Sequence, residues 1–289
     1  MAVSPSRVAA GSLRVLPRKQ LSRMLGRMAR TAAPAPLLRA AVRAYCRAWG
    51  VDLADFEVPS GGFATFDEFF TRRLRPGVRS VDPDPAALLS PADGRLDACG
   101  RIEPGLELEV KGQRCSLGAL LGEAATPASF AGGYYALVYL SPRDYHRVHA
   151  PVSGQVVATR HVVGTLFPVN DIGFAHVPGL LVRNERVVVE QRAERHGRVI
   201  TVMVGALGVG RITLDFDADL ISNDGAVAGA GVRHYDADAP YLERGQELGV
   251  FHLGSTVVVL AEPGSGLRPA RSTMGPVRMG DAIARASHA

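Results

Sequence analysis

Two hydrophobic patterns divide the chain into a short helical part and a longer part made of strands. From Pro17 to about Trp49, apolar residues recur at helical intervals of three or four positions, which predicts helices. The segment Pro34-Ala35-Pro36 interrupts this pattern and separates two predicted helices. Farther along, Thr65 and Glu68 have the spacing of a capping box and predict a third, short helix.

Beyond Ser90 the hydrophobic period shortens to two residues, which is typical of strands. Glycines separate the apolar segments at turn-like intervals, so an antiparallel β sandwich or barrel-like domain is favoured over βαβ units. The glycine-rich stretch at 205–210 lacks the spacing of a phosphate-binding loop and predicts a bend between strands. Strands are predicted over residues 106–110, 134–140, 155–163, 186–191, 199–204, 211–216 and 248–260.

The predicted fold class is therefore α+β, with a mainly antiparallel β domain after an N-terminal amphipathic helical region. Residues 1–15 are expected to form a disordered tail, residues 16–75 a helical region and residues 76–289 the β domain. Hydrophobic residues make up 47% of the chain and charged residues 21%, a balance that excludes global disorder. Apolar runs stay shorter than the roughly 20 residues that a membrane-spanning helix needs, so any membrane contact is expected to be peripheral.

Positive charge is concentrated in the predicted helical region. The chain has a net charge of +5, and no acidic residue stands between Met1 and Val51. Arginines and one lysine occupy the helix faces that the apolar residues leave free, which is typical of amphipathic helices on an anionic membrane. The alternative is a helical hairpin packed on the β domain with a solvated basic face. A basic surface also suits nucleic acid or an acidic substrate.

Cysteine spacing and the first residues of the chain indicate the compartment. Cys46, Cys99 and Cys115 are odd in number and lack the CxxC spacing of a zinc site, which predicts reduced thiols in the cytosol. Residues 1–16 contain no continuous apolar segment of the kind that a secretory signal needs. A bacterial cytoplasmic location is therefore expected. An organelle is the alternative, because the same residues are rich in serine and arginine and contain no acid, as transit peptides do.

Three short segments carry the residues that could perform chemistry. Asp93 lies in a predicted tight turn, His149 follows His146 by three positions, and Ser255 follows Gly254 in a predicted strand. Aspartate, histidine and serine are the residue types of a nucleophile, its base and the group that orients the base. However, the Gly-Ser step lacks the GxSxG strand-to-helix elbow of many serine hydrolases.

A glycine before the serine permits a different reaction. Because Gly254 has no side chain, its carbonyl is easy to approach and its backbone can be held under strain. Attack by the Ser255 hydroxyl converts the peptide bond into an ester, β-elimination then leaves dehydroalanine, and hydrolysis gives a pyruvoyl group. The sequence thus predicts a self-cleavage site between Gly254 and Ser255.

Seven sequence motifs point to one protein family. Their identity and order resemble those of the bacterial phosphatidylserine decarboxylases, in which Leu253-Gly254-Ser255-Thr256 corresponds to the processing motif. By this resemblance Asp93 and His149 form the self-cleavage triad with Ser255, and His146 is the candidate acid for decarboxylation. The other six motifs are Leu16-Pro17-Arg18, Phe66-Asp67-Glu68-Phe69-Phe70, Ser90-Pro91-Ala92-Asp93-Gly94, Ser141-Pro142-Arg143-Asp144-Tyr145-His146-Arg147-Val148-His149, Arg183-Asn184-Glu185-Arg186 and Met279-Gly280.

The resemblance implies a pyruvoyl-dependent enzyme that works at an anionic membrane surface. Cleavage would give a β chain (1–254) and an α chain (255–289), held together as a heterodimer that could itself pair into a dimer. The covalent pyruvoyl group made from Ser255 would form a Schiff base with the amine of phosphatidylserine, and loss of CO2 followed by protonation would give phosphatidylethanolamine. The implied fold has barrel-sandwich-like β halves, with helices facing the cytoplasmic side of the bacterial cell membrane. Neither a metal nor nucleic acid is expected as a partner.

Three other functions remain open for the same residues. A serine hydrolase would use Asp93, His149 and Ser255 in an intact chain. A metalloprotein would use His146 and His149, whose side chains face opposite sides of a regular strand and therefore need a turn between them. A non-enzymatic β sandwich would dock to membranes without any need for Ser255.

Other polar residues near the motifs receive weaker interpretations. His252 is assigned no role, although relatives can carry lysine at this position. Asn170 suits a site residue and an ordinary turn residue equally well. Arg183 and Arg186 are expected to be solvated loop arginines, with contact to a lipid phosphate as the alternative.

Overall fold

A computed structural model describes residues 18–122, 127–208, 211–223, 231–236, 238–252 and 255–286 of the protein. The tail predicted over residues 1–15 lies outside these ranges. The first part of the described chain is helical, as the hydrophobic period predicts. The helices are α1 (Arg18–Arg30), α2 (Ala35–Trp49), α3 (Phe66–Phe70), α4 (Leu117–Leu121), α5 (Asp171–His176) and α6 (Leu180–Arg183).

Local sequence signals account for the ends of α2 and α3. Gly50 ends α2 in the left-handed conformation, and its amide donates to the Cys46 carbonyl. The predicted capping box opens α3, because the Thr65 hydroxyl accepts from the amide of Glu68 at 3.0 Å. The Glu68 carboxylate in turn accepts from the amide of Ala64. No helix among the described residues is long and apolar enough to cross a membrane.

The rest of the chain is dominated by antiparallel strands, which confirms the predicted α+β class. The strands are β1 (Ala87–Leu89), β2 (Gly94–Arg101), β3 (Glu107–Val110), β4 (Gln113–Ser116), β5 (Tyr134–Leu140), β6 (Arg147–His149), β7 (Gly154–Val162), β8 (Arg186–Ala193), β9 (Gly197–Gly205), β10 (Arg211–Leu214), β11 (Gly231–His234), β12 (Tyr241–Leu242), β13 (Glu247–His252), β14 (Ser255–Ala261), β15 (Leu267–Pro269), β16 (Gly275–Val277) and β17 (Ala282–Ala286).

One large sheet organises the molecule. Its strand order is β11-β7-β8-β9-β14-β5-β2-β16, and β12 also pairs with β7. Two smaller sheets have the orders β10-β13-β6 and β1-β17-β15, while β3 and β4 form a hairpin. Within the described ranges these sheets stay open instead of closing into a barrel.

The large sheet is buried on both faces. Along its central strand β14, Val257 and Val259 enter one core, where Phe251 from the small β10-β13-β6 sheet packs. Val258 points to the opposite core, which it shares with Leu120 of α4. Successive side chains of a strand point to opposite faces of its sheet, and both faces are buried here. The sequence of β14 is therefore almost continuously apolar, and the strand lies between two core layers.

The single strand predicted over residues 248–260 is wrong in one respect, because the structure divides it. β13 ends at His252 and belongs to a three-stranded sheet, whereas β14 begins at Ser255 and belongs to the large sheet. Hydrophobic periodicity reports local strand character but not which neighbour a strand pairs with, so the division could not be seen in the pattern. It falls at the predicted cleavage site, whose Gly254 lies outside the described residues.

Candidate active site

Ser255 is buried where the chain enters the large sheet. It is the first residue of β14 and pairs with Leu140 of β5 and Gly205 of β9. The residue is 1% exposed, and its Oγ has no hydrogen-bond partner among the described residues. A buried hydroxyl without a partner is energetically costly and is frequently a sign of function. Ser255 therefore differs from a typical structural serine, whose buried hydroxyl is hydrogen-bonded, and suits a candidate nucleophile.

Asp93 is fixed by Arg79, which lies in none of the sequence motifs, and by Met279, which belongs to one of them. The Arg79 guanidinium donates to its carboxylate through Nε at 3.1 Å and Nη2 at 2.6 Å. The Met279 amide donates to Asp93 Oδ1 at 2.8 Å, which explains the Met279-Gly280 motif. The hydrogen bonds between Arg79 and Asp93 also raise the pKa of Arg79 above its usual range. Nothing in the sequence around Arg79 signals this role.

His149 lies at the end of β6 with both ring nitrogens engaged. Nδ1 lies 2.8 Å from the Gly245 carbonyl and Nε2 lies 3.0 Å from the Tyr145 hydroxyl. A carbonyl only accepts, so Nδ1 carries the proton and Nε2 accepts from Tyr145. Burial lowers the pKa of His149, and the Gly245 carbonyl, Glu247 and Asp93 oppose this shift. The imidazole is therefore neutral at neutral pH and has the protonation state of a base.

His146 lies in a still more apolar environment. Its ring is completely buried and stacks on Phe70 with the ring centroids 4.0 Å apart. Burial, with a smaller contribution from the Arg72 charge, lowers its pKa to about 3. The carbonyls of Ser141 and Pro142 lie near enough to oppose the shift, but neither ring nitrogen has a hydrogen bond of good geometry within the described chain.

The structure brings the predicted site residues together only in part. The amide of His149 donates to the Pro91 carbonyl at 2.7 Å, which joins the turn that carries Asp93 to β6. The Asp93 charge also acts on the His149 ring. Among the described residues, no hydrogen bond joins Ser255 to His149 or Asp93. Ser255 pairs with Leu140, the last residue of β5, and His146 lies in the loop that follows this strand.

His252 has a defined position although the sequence suggested no role for it. Its Nδ1 lies 2.9 Å from both carboxylate oxygens of Asp67, and its Nε2 lies 3.1 Å from the Thr213 hydroxyl. Asp67 belongs to α3, so this contact ties the helical region to the last residue before the predicted cleavage segment. The possible signal was the Phe66–Phe70 motif, since an acidic residue within an aromatic cluster needs a partner.

The Arg183-Asn184-Glu185-Arg186 motif has a structural role. The expectation of a solvated loop arginine is wrong for Arg186, which is buried at the start of β8 and donates to carbonyls at the ends of α4 and α6. The buried amide of Asn184 donates to the carbonyls of Phe167 and Gly205, and the latter residue pairs with Ser255. Asn170 caps α5 by accepting from Gly173 at 3.1 Å, which is the turn role.

Comparison with known proteins identifies the family. The family model described as phosphatidylserine decarboxylase matches residues 66–285. A phosphatidylserine decarboxylase proenzyme of Anaeromyxobacter sp. (strain K) is 41% identical over 97% of this chain and 99% of its own. The chain belongs to the phosphatidylserine decarboxylase family. Proenzymes of the same name from Acinetobacter baumannii and Myxococcus xanthus are 41% and 38% identical over 86% and 87% of this chain.

Membership of the phosphatidylserine decarboxylase family confirms the predicted family and the predicted class of enzyme, a carboxy-lyase. Two of the family's motifs that are far apart along the chain form contacts in the fold. Asp67 of the Phe66–Phe70 motif contacts His252, and Met279 contacts Asp93. Both nitrogens of His149, one of the two histidines that the metalloprotein alternative would use, are hydrogen-bonded within the protein.

Proposed function

We propose that this protein is a self-processing decarboxylase that converts phosphatidylserine to phosphatidylethanolamine and CO2. The relatives' names supply the reaction and the term proenzyme. The observation that carries self-processing is the buried Ser255 Oγ, which lacks a partner at the junction between two sheets. The chain would then consist of a β piece ending at Gly254 and an α piece beginning at residue 255.

Self-cleavage requires Ser255 to act on its own peptide bond. Its Oγ attacks the Gly254 carbonyl carbon and gives up its proton, the C–N bond breaks, and the Ser255 nitrogen leaves as a free amine, so that an ester through Oγ now joins the two residues. β-Elimination releases Gly254 as a carboxylate and leaves dehydroalanine, which adds water and loses ammonia to become a pyruvoyl group. A serine hydroxyl without a competing hydrogen bond suits the first step, because no partner has to be displaced.

His149 is the proposed base for this attack. Its lowered pKa keeps Nε2 unprotonated, and Nε2 becomes available when the Tyr145 hydroxyl releases it. Asp93, anchored by Arg79, stabilises the imidazolium that forms when His149 accepts the serine proton. The serine, histidine and aspartate thus act as a triad in which the aspartate works through its charge.

In the decarboxylation step, His146 is the proposed proton donor. When formed, the pyruvoyl group supplies a ketone that binds the substrate amine and takes up the electron pair left by CO2. His146 lies in a water-excluded position against Phe70, where it can hold a proton for transfer to the carbon that loses CO2. Burial lowers the pKa of His146 to about 3 in the free protein, and the negative charge of a bound substrate would raise that pKa.

Membrane attachment through the helical region follows from exposed apolar side chains. Met28 is 65% exposed on α1, Leu37 is 64% exposed at the start of α2, and Trp49 is 50% exposed at its end. Exposed apolar residues beside arginines are typical of helices that lie in the headgroup region of an anionic membrane. We infer a peripheral position on the cytoplasmic face, with the α and β pieces held together as a heterodimer.

Replacing Ser255 tests the proposal directly. S255A is expected to give one uncleaved chain without decarboxylation, whereas S60A, which alters an exposed serine, cleaves and works normally. Mass spectrometry of the unmutated protein should find a small fragment that begins with a pyruvoyl group at position 255. An intact chain that decarboxylates phosphatidylserine would refute self-processing, and an intact chain that hydrolyses esters would favour the serine hydrolase.

A further inference from the structure

A small groove that is open to solvent lies next to His252, the last described residue before the predicted cleavage site. Helix α1 forms one wall, and the ends of β10 and β13 contribute to the other. Four arginines, one acid and one histidine line it, namely Arg23, Arg27, Arg30, Arg211, Asp67 and His252. Helix α1 is attached at this edge of the groove by a hydrogen bond from the Gly208 amide to the Ser22 hydroxyl, at 3.1 Å.

The charge in this groove favours an anion. Among the described residues, Arg23, Arg27 and Arg30 of α1 line the groove together with one carboxylate, that of Asp67, which is bound to His252 Nδ1 at 2.9 Å. Arg23 is held in place by the carbonyl and side chain of Asn223 at 3.1 and 3.0 Å. Planar guanidinium groups match the oxygens of a phosphate, which accept several N–H bonds at once.

The surroundings of the groove indicate an amphiphilic anion. Met24 and Met28 of α1 are exposed, and Met24 precedes Arg27 by three positions, so the two side chains are neighbours on the helix surface. A lipid could therefore rest its acyl chains on this apolar stripe while its headgroup enters between the arginines. His252, which lines the groove, ends β13 and precedes Ser255 by three positions in the sequence.

We propose that this groove binds the phosphodiester of the glycerophospholipid substrate, and that Arg27 and Arg30 thereby determine the KM for that lipid. The inference rests on the proposed decarboxylase function and adds to it the position of the headgroup phosphate. Arg27 and Arg30 are both exposed on α1, so their side chains are available to a ligand. The serine moiety of the lipid extends from this phosphate toward position 255.

The test compares R27Q/R30Q with R114Q/R192Q, which removes two exposed arginines elsewhere. Short-chain phosphatidylserine in neutral detergent micelles is the substrate, so that membrane charge does not enter. R27Q/R30Q is expected to raise KM about tenfold with little change in kcat. The charge-conserving R27K/R30K should recover most of the affinity. An unchanged KM in R27Q/R30Q, or an equal rise in R114Q/R192Q, would overturn the proposal.

A competition experiment on the unmutated enzyme distinguishes the source of the phosphate and needs no folded variant. Glycerophosphoserine, which lacks acyl chains, should compete with the substrate and compete less well as salt is added. Competition by inorganic phosphate alone would assign the groove to a free anion, and competition by neither would leave it without a phosphate site. Either result overturns the lipid proposal.

Self-cleavage separates this inference from the function on which it rests. R27Q/R30Q should still yield two pieces on a denaturing gel, because neither arginine takes part in the attack of Ser255. A variant that cleaves fully but keeps the normal KM refutes the groove alone. An unmutated chain that never cleaves and never releases CO2 refutes the decarboxylase itself.

Discussion

Asp93 owes its position to partners that lie far from it along the chain. Arg79 provides a two-pronged contact, and the Met279 amide donates from 186 residues away. If Asp93 acts on His149 through its charge, its orientation matters as much as its presence. The arginine therefore has a positioning role for a step in which it does not touch the reacting atoms.

Replacing Arg79 should slow self-cleavage. R79Q removes the guanidinium group whose Nε and Nη2 both donate to the Asp93 carboxylate. The carboxylate can then turn away from His149, so we expect cleavage to slow about tenfold or more. R79K keeps the charge but not the two-pronged contact, so it should recover part of the rate. The time course of cleavage after synthesis, followed on denaturing gels, measures the effect. R114Q, at an exposed arginine, is the control; equal rates in R79Q and the unmutated chain would contradict the role.

The buried histidine His146 should make stability depend on pH. Its pKa falls from an ordinary value of 6.5 to about 3 in the folded chain. Between these values the unfolded chain binds a proton that the folded chain refuses, so stability is complete above pH 6.5 and is lost as pH falls toward 3. The loss is up to about 1.4 kcal/mol per pH unit for each such histidine.

Urea unfolding checks this dependence. The S255A chain, which remains uncleaved, should lose stability as the pH falls from about 6.5 to about 5, because its buried histidines resist protonation. Adding H146Q should make the decline shallower, while H234Q, at an exposed histidine, should leave the slope unchanged. Parallel pH profiles for all three proteins would show that His146 is not buried in the neutral form.

At the scale of elements, the contact between β2 and β5 decides where the turn that carries Asp93 lies. A side chain at Gly94 would place Cβ 2.3 Å from the Tyr139 carbonyl oxygen. Tyr139 pairs in turn with Thr256 of β14, the residue after the nucleophile. The glycine of the Asp93-Gly94 pair is therefore needed for close approach of two strands, in addition to any turn that it forms.

An alanine at this position should disturb both stability and processing. G94A forces β2 away from β5 and is expected to lower the free energy of unfolding by about 1–3 kcal/mol. It should also slow cleavage, because Asp93 moves with the strand. G105A provides the control, since a Cβ there meets nothing within 4 Å. Equal denaturant midpoints for G94A and G105A would argue against the close contact.

At the scale of the whole molecule, cleavage should not separate the two pieces. All seven residues of β14 are buried and pair with β9 on one side and β5 on the other. β16 and β17 also pair with strands of the larger piece, β2 and β1. The small piece is therefore a central part of the core and not an appendage.

This arrangement predicts one native particle made of two chains. Cleaved protein should elute from gel filtration as a single species that contains both pieces and should show two bands only after denaturation. The small piece should be released at the urea concentration that unfolds the large sheet, since its pairing is lost only there. Release of the small piece in buffer without denaturant would contradict the sheet order.

The amino-acid sequence by itself determined the local and chemical features of this protein. The change of hydrophobic period separated helices from strands, the Thr65–Glu68 spacing located α3, and the ordered motifs identified the family. Each of these features depends on residues that are neighbours in the chain or on residue identity alone. Such information needs no knowledge of which strand pairs with which.

Only the tertiary structure decided how these parts meet. It divided the strand predicted over residues 248–260 between two sheets, paired Arg79 and Met279 with Asp93, and gave His252 a partner 185 residues away in Asp67. Strand order and register bring such groups together, and hydrophobic periodicity carries no record of either. The sequence therefore indicated the candidate residues for the chemistry, and the fold determined what holds them in position.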